Sequence, residues 1–223
     1  CGTRHCNTYD VYKIINNEAK RLIVEPFNKI ESHAEFDSIN KTIILNCYNG
    51  NAIQVTVPKE VTKIGYGAFE GHFNLTNIII PNGVTEIMTN AFCGCTDLIS
   101  ITIPDSVTEV GHYVFEGCTN LTCVKIPNGI TRIPWGMFKD CTSLTSITIP
   151  DSVTEIGSLA FEGCTGLKSI IIPDSVTKIG TRAFADCTNL INIQIPHDLK
   201  IIRGSFSGCP GKPKRSPIDK QQN

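Results

Sequence analysis

Eleven cysteines are the residues of this 223-residue chain best suited to chemistry. A thiol can form a disulfide, bind a metal ion or act as a nucleophile. Five of these cysteines follow a fixed spacing of 23 residues: Cys95, Cys118, Cys141, Cys164 and Cys187. His72 occupies the equivalent position at one end of this cysteine column, and Cys209 follows one residue early at the other. Such regular spacing indicates a structural position in a repeat rather than a catalytic site.

The cysteine column is expected to consist of buried free thiols that act as small hydrophobic side chains. Burial should raise their pKa and leave them unreactive. Disulfides between coils are an alternative, because stacked strands place equivalent residues about 4.8 Å apart, within the Cα range of a disulfide.

Metal binding is a second alternative, suggested by Cys93 and Cys95 beside His72. Zinc sites usually combine paired ligand sets at finger-like spacing, which this arrangement lacks. We therefore predict no metal and no cofactor. Cys1, Cys6 and Cys47 lie outside the column, and an oxidising compartment would allow one disulfide among them.

The elements that position these residues repeat with the same period. Proline ends a short β-branched strand in each repeat, because it would break a sheet ladder if it sat inside one. These prolines are Pro58, Pro81, Pro104, Pro127, Pro150, Pro173 and Pro196. A turn, a second extended stretch such as 153–156 and a compact corner complete each repeat. The pattern predicts a β-rich solenoid of about seven coils, with two strand faces and turn or short 3-10 corners.

The repeated motif is Leu-x-x-Ile-x-Ile-Pro, then Val-Thr-x-Ile-Gly, then Ala-Phe and Cys, over residues 52–209. It resembles the BspA-like leucine-rich repeat. This resemblance implies a curved horseshoe and a role in adhesion or partner binding, often on microbial surfaces. It also suggests a host matrix protein such as fibronectin as the ligand.

Three segments are expected. Residues 1–51 form an amino-terminal cap, with a hairpin between 41–47 and 52–57 around Asn49-Gly50, a pair that favours a tight hairpin turn. Residues 52–209 hold the seven repeats. Residues 210–223 read as a disordered tail or linker, because they are polar and rich in proline and basic residues.

Composition argues against several functional classes. The net charge is −1 and the charges are mixed along the chain, which does not suggest a nucleic-acid groove. No apolar run reaches the roughly 18 residues of a membrane helix, so direct membrane insertion is not expected. The chain has no nucleophile elbow and no phosphate-binding glycine loop, so we predict that it is not an enzyme.

Partner contacts are expected where the repeat varies on its outward strand positions. The candidates before each proline are Ile79, Ile99, Lys125, Lys168, Ile171, Ile191 and Gln194. Exposed isoleucines can mark contact sites, but isoleucine is also an ordinary strand former. Both interpretations stay open.

A second candidate surface precedes the phenylalanine of each corner. Tyr66, His112, Tyr113 and Trp135 fall there in nearby repeats, and exposed aromatic residues are common interface anchors. Pro134 replaces the usual glycine and should bend the backbone, so the alternative is that the indole packs under the corner.

Charge alternates along one column of the second strand, at Glu109, Arg132, Glu155 and Lys178. Opposite charges on adjacent strands favour the correct register. Glu86 beside Glu109 breaks the alternation. This like-charge pair is either a site for a cation or a basic partner, or an ordinary solvated face.

Together these observations predict a non-enzymatic protein-binding module of the adhesin type, on the cell surface or secreted. The alternative is an intracellular scaffold or effector that binds a cytosolic partner, which the many unpaired thiols would suit. A lectin-like or surface-layer module would call for calcium or sugar binding, and no Asp-rich loop supports it.

Overall fold

The computed structural model describes residues 12–15, 18–21, 32–37, 42–48 and 52–217. These ranges hold seventeen short β-strands and no helix. From residue 52 onward the chain winds into a parallel β-solenoid of about seven coils, which confirms the predicted fold class. We number the coils 1 to 7. Coil 1 begins at Ala52, and the later coils begin at Leu75, Leu98, Leu121, Leu144, Leu167 and Leu190.

The strands before coil 1 pair in antiparallel fashion. β1 (Tyr12–Ile15) pairs with β2 (Glu18–Arg21). β3 (Ser32–Asp37) pairs with β4 (Thr42–Tyr48). β4 then continues into the solenoid through parallel pairing, and its residues Leu45 and Tyr48 are buried in the core.

One side of the solenoid, here called the proline face, contains the strands that end near the repeat prolines and the last strand of the chain, in two sheets. Its strands are β5 (Gln54–Thr56), β7 (Asn77–Ile79), β9 (Ser100–Thr102), β11 (Cys123–Lys125), β14 (Ser169–Ile171), β16 (Asn192–Ile195) and β17 (Pro213–Arg215). The middle residue of each three-residue strand from β5 to β14 is buried and its two neighbours are exposed. The outward positions expected from strand alternation are therefore confirmed.

The opposite sheet, here called the valine face, contains the strands that follow the repeat valines. After β3 and β4 it continues through β6 (Lys63–Ile64), β8 (Glu86–Ile87), β10 (Glu109–Val110), β12 (Arg132–Ile133), β13 (Glu155–Ile156) and β15 (Lys178–Ile179). Its coils pair in register at a 23-residue offset, for example Glu155 opposite Lys178.

The expected hairpin between 41–47 and 52–57 does not form. β4 belongs to the valine face, whereas β5 pairs with β7 in the proline face. The reason is the repeat itself, because Val55 lies in the same column as Ile78 and Leu45 in the same column as Ile64. Each strand joins the sheet that its buried residue matches. Residues 49–51 lie outside the described residues.

A stack of phenylalanine rings runs through the core between the two faces. Its members are Phe69, Phe92, Phe115, Phe138, Phe161, Phe184 and Phe206. Successive ring centroids are 5.0–5.6 Å apart, and the planes of neighbouring rings are nearly parallel. Tyr48 extends the stack by packing 5.1 Å from Phe69. The phenylalanine of each repeat therefore forms part of a continuous aromatic stack, here called the spine, which runs from Tyr48 to Phe206.

The valine face is interrupted between β10 and β12. In the other coils the residue after the strand donates its N–H to the preceding coil, as Gly111 does to the Ile87 carbonyl (2.7 Å) and Gly157 to the Ile133 carbonyl (2.8 Å). Pro134 occupies this position in coil 4 and has no N–H to donate. This bond is therefore lost between coils 3 and 4. The bond that Thr131 would donate to Thr108 is absent as well, although Thr108 and Thr154 each make the equivalent bond to the preceding coil.

The proline face is interrupted at coil 5, where residues 144–150 form no strand. Ile147, in the column of the buried Val124 and Ile170, is only partly buried there. The segment carries ordinary repeat residues, so no local substitution explains this interruption.

The prediction of a disordered tail over 210–223 is wrong for residues 210–217. β17 pairs in parallel with β16 and extends the proline face beyond coil 7. The Arg215 guanidinium donates hydrogen bonds to the carbonyls of Pro196, His197 and Leu199. These bonds hold the last strand against the turn of coil 7. Residues 218–223 lie outside the described residues.

Candidate protein-binding surfaces

All seven candidate residues of the proline face are exposed in the structure. The strand register places two pairs of these candidates side by side. Ile171 lies opposite Gln194, and the Ile191 N–H donates a hydrogen bond to the Lys168 carbonyl at 3.0 Å. The isoleucines form two groups. Ile171 and Ile191, 66% and 62% exposed, lie on coils 6 and 7 and are here called the second isoleucine patch.

The first isoleucine patch lies on coils 1 to 3 and contains Ile53, Ile79 and Ile99, which are 52–61% exposed. Ile53 was not predicted as a contact residue, although it lies two coils before Ile99 in the same column. Phe73 was also missed and is 62% exposed. It stands where the following coils have threonine, and that departure from the repeat was the available signal.

A shallow depression of about 420 Å³ adjoins the first patch and is lined by Ile79, Thr102, Asp105 and Lys125 among others. The Lys125 ammonium lies 3.0 Å from the Asp105 carboxylate. This hydrogen bond, together with one from the Asn128 amide, lowers the pKa of Asp105. Lys125 is therefore held at the rim and is not a free cation.

The aromatic candidates divide into a cluster and an isolated residue. The Trp135 indole contacts the rings of His112 and Tyr113, with centroids 6.3 Å and 6.0 Å away. Trp135 is 46% exposed, so it does not pack fully under the corner. Tyr66 is 65% exposed and makes no ring contact with the other three among the described residues.

Ion pairs follow the charge column of the valine face on both sides of coil 3. Glu86 pairs with Lys63 at 2.7 Å. Glu155 pairs with Lys178 at 2.9 Å and with Arg132 at 3.8 Å. Glu109 makes no ion pair within the described part of the chain. The alternation expected between Glu109 and Arg132 fails because the sheet is interrupted between their strands.

The thiols of the cysteine column are buried and free, as predicted. Each donates a hydrogen bond to the carbonyl of a spine phenylalanine in the preceding coil, as Cys141 does to Phe115 at 3.1 Å. The pattern recurs from Cys95 to Cys209 at 3.0–3.2 Å. The thiols therefore link coils as donors besides filling space, which hydrophobic patterning did not reveal.

Burial raises the pKa of the Cys95 thiol to about 12, and it also raises the pKa of Cys118 and Cys141. The end of the column differs. The interaction between the neighbouring Cys187 and Cys209 thiols raises the pKa of Cys187 and lowers that of the half-buried Cys209.

Cys93, Cys95 and His72, which suggested a metal site, have other neighbours in the structure. His72 packs against the rings of Tyr48 and Phe69, at 5.0 Å and 6.1 Å. The Cys93 sulfur lies 4.0 Å from a Glu116 carboxylate oxygen. Within the described residues no three histidine, cysteine or acidic side chains could hold an ion. Cys47 forms a disulfide bond, while Cys1 and Cys6 lie outside the described residues.

A search of the described residues finds no helix of the length and hydropathy that a membrane span requires. No curated protein matches the chain by sequence. The family profile "BspA type Leucine rich repeat region" matches in six copies over residues 37–167 and 131–211.

Three solved structures resemble the chain along most of its length. The Treponema pallidum leucine-rich repeat protein is 32% identical, with a TM-score of 0.69, and the match covers 72% of this chain and 78% of that one. A leucine-rich cell surface protein from Faecalibacterium prausnitzii is 33% identical, with a TM-score of 0.57 and coverages of 78% and 55%. A leucine-rich repeat protein from Eubacterium ventriosum is 26% identical, with a TM-score of 0.72 and coverages of 84% and 51%. The chain thus spans about half the length of the last two.

Proposed function

Because the chain belongs to the BspA-type leucine-rich repeat family, we propose that it is a non-enzymatic module that binds a protein ligand through its outward faces. Leucine-rich repeat proteins are generally protein-interaction modules. The observation that carries the proposal is the presence of five isoleucines, each at least half exposed, on the proline face. Large apolar side chains exposed on the same face are typical of interaction sites.

The sheet that carries these side chains suits binding. Within each isoleucine patch the strands are joined by in-register parallel pairing, for example β5 with β7 and β14 with β16. Side chains held on such a scaffold lose little conformational entropy on association. Many weak contacts can therefore add up to a useful affinity.

We further propose that the ligand is an extracellular protein, such as a host matrix protein, and that the module is secreted or displayed on the cell surface. Two observations support this location. One relative of 33% identity is described as a cell surface protein. The Cys47 disulfide suits an oxidising compartment.

Surface plasmon resonance on immobilised fibronectin, collagen and laminin tests the proposal. Saturable binding to one of them is expected, and the double variant Ile171→Thr/Ile191→Thr should weaken it. Threonine occupies both columns in other coils, at Thr102 and Thr122, so the fold should tolerate the change. The matched control is Ile201→Thr/Ile202→Thr, which removes two isoleucines of 40% exposure outside the patches. Equal loss in both variants, or no binding, would contradict the proposal.

The second candidate is an intracellular scaffold or effector with a cytoplasmic partner. Cys123 favours it, because this free thiol is exposed on the proline face and would persist more readily in a reducing compartment. Mass spectrometry of native protein under alkylation distinguishes the two. Alkylation of both Cys47 and Cys123, which shows two free thiols, supports the cytoplasmic candidate. An intact Cys47 disulfide, which resists alkylation, supports export.

A further inference from the structure

A small groove on the valine face lies between coils 1 and 3. It is lined by Tyr66, Glu86, Thr89, Glu109 and Gly111 among others and has a volume of about 170 Å³. We call it the Tyr66 groove. Pockets for small-molecule ligands usually measure about 300–1,000 Å³, so this groove has room for one side chain rather than for a cofactor.

The Tyr66 groove carries an excess of negative charge. Glu86 and Glu109 are paired in register on adjacent strands, and Lys63 contacts only the Glu86 side of the pair, at 2.7 Å. The next cation of the column, Arg132, pairs instead with Glu155. β10 and β12 do not pair, and Glu109, which lines the groove, makes no ion pair with a described residue.

An exposed aromatic ring borders the same carboxylates. Tyr66 is 65% exposed, and a cation near the face of an aromatic ring is attracted by its quadrupole. The groove is also joined to the aromatic cluster, because the Thr89 hydroxyl accepts a hydrogen bond from the His112 N–H at 3.2 Å. The rim therefore combines negative charge, an aromatic surface and hydrogen-bonded backbone.

We propose that the Tyr66 groove receives an arginine side chain of the protein ligand. Arginine fits this chemistry better than lysine, because its planar guanidinium binds carboxylates through two hydrogen bonds and stacks on aromatic rings. The inference rests on the proposed function and specifies one contact of it. Glu109 supplies the charge, Glu86 reinforces it, and Tyr66 covers the guanidinium.

NMR titration of the isotope-labelled chain tests this contact. The probe is the peptide acetyl-Gly-Ser-Arg-Ser-Gly-amide, and its control contains citrulline, which keeps the shape of arginine and removes the charge. The arginine peptide should shift the amide signals of Thr89, Glu109 and Gly111, and the citrulline peptide should not. Equal shifts from both peptides would overturn the inference.

Two variants sharpen the titration. Glu109→Gln should weaken arginine-peptide binding by about two- to fivefold, because exposed charge pairs contribute up to about 1 kcal/mol. Glu155→Gln alters the same column two coils away and should leave binding unchanged. Trp135 fluorescence checks that both variants fold. Unchanged affinity in Glu109→Gln would also overturn the inference.

The test separates this contact from the proposed function. If a matrix protein binds wild type and Glu109→Gln equally well, the arginine contact is wrong and the proposed function stands. If the arginine peptide binds the groove but no extracellular protein is captured, the groove chemistry stands and the proposed ligand class is wrong.

Discussion

Two residues in every corner have a left-handed backbone conformation. They lie two positions before and two positions after each spine phenylalanine, with φ between 54° and 88°. Glycine fills many of these positions, but Asn90, Tyr113, Leu159 and Arg182 also adopt the conformation. For a residue with a Cβ atom this conformation costs roughly 1–2 kcal/mol. The packed core therefore holds several side chains in an unfavourable backbone state.

Gly117→Ala measures that cost directly. The nearest atoms to an added Cβ would be 3.8 Å away, so space is open and only the φ of +70° opposes the change. We expect a loss of about 1–2 kcal/mol in the free energy of unfolding, measured by urea titration of Trp135 fluorescence. Asp140→Ala is the control, because Asp140 is already left-handed in the same column. An equal loss in the control would show that φ is not the cause.

For single residues, the sequence predicts which side chains are buried better than it predicts which residues have a left-handed backbone. The cysteine and phenylalanine columns are visible as spacing, because hydrophobic side chains repeat wherever the core repeats. The left-handed position of Tyr113 leaves no such mark, since residues of very different type occupy that column. The sequence predicted that Trp135, His112 and Tyr113 lie in neighbouring coils, but it did not predict that their rings are in contact.

The strand that carries Glu109 shows how one backbone atom changes a whole element. Pro134 removes a donor, β10 and β12 separate, and the ion pair predicted for their side chains does not form. The sequence located the proline and suggested a bend. It did not show that the sheet would end there, because sheet continuity depends on several hydrogen bonds between the two coils, and the sequence does not reveal which of them form.

Pro134→Ala should restore the lost hydrogen bond. The new amide is expected to donate to the Val110 carbonyl, as the amide of Met88 already does to the Ile64 carbonyl at 2.9 Å. A net hydrogen bond of about 1 kcal/mol should make hydrogen exchange of the new amide at residue 134 roughly fivefold slower than that of an unprotected amide. NMR measures this rate. Overall stability should change little, because losing proline frees the unfolded chain by a similar amount. Exchange at the rate of an unstructured amide would refute this account.

Over the whole molecule the buried thiols make stability depend on pH. Burial raises the pKa of Cys95 to about 12 and that of Cys118 and Cys141 in the same direction. A thiol in the unfolded chain ionises near its ordinary value of about 8.5–9. Below that value their contribution is complete, and it is lost as the pH rises towards the folded pKa.

The free energy of unfolding should therefore fall between about pH 9 and pH 12. Each such thiol contributes up to about 1.4 kcal/mol per pH unit. Urea titrations at several pH values under reducing conditions measure the slope. Cys141→Ala should reduce the slope by one thiol's share while lowering stability at pH 7. A slope unchanged by this substitution would contradict the assignment.

The fold as a whole was predictable because each coil obeys the same local rule. Seven equally spaced prolines and the matching phenylalanines specify a stack, and an array of equivalent coils has few other ways to bury them. Irregular parts follow no repeat and were predicted less well, as the pairing of β4 and the position of β17 show. Those parts depend on what lies beside them in space.

The two faces of the solenoid are interrupted at different joints, so no single joint loses the strand pairing of both faces. The valine face is open between coils 3 and 4, whereas the proline face is open on either side of coil 5. Hydrogen bonds at the corners continue across these joints, for example from the Tyr113 N–H to the Trp135 carbonyl at 2.9 Å. The interruption of the proline face lies between the first isoleucine patch, on coils 1 to 3, and the second, on coils 6 and 7. Under the proposed function, a ligand that contacts both patches would form its second contact at high effective concentration.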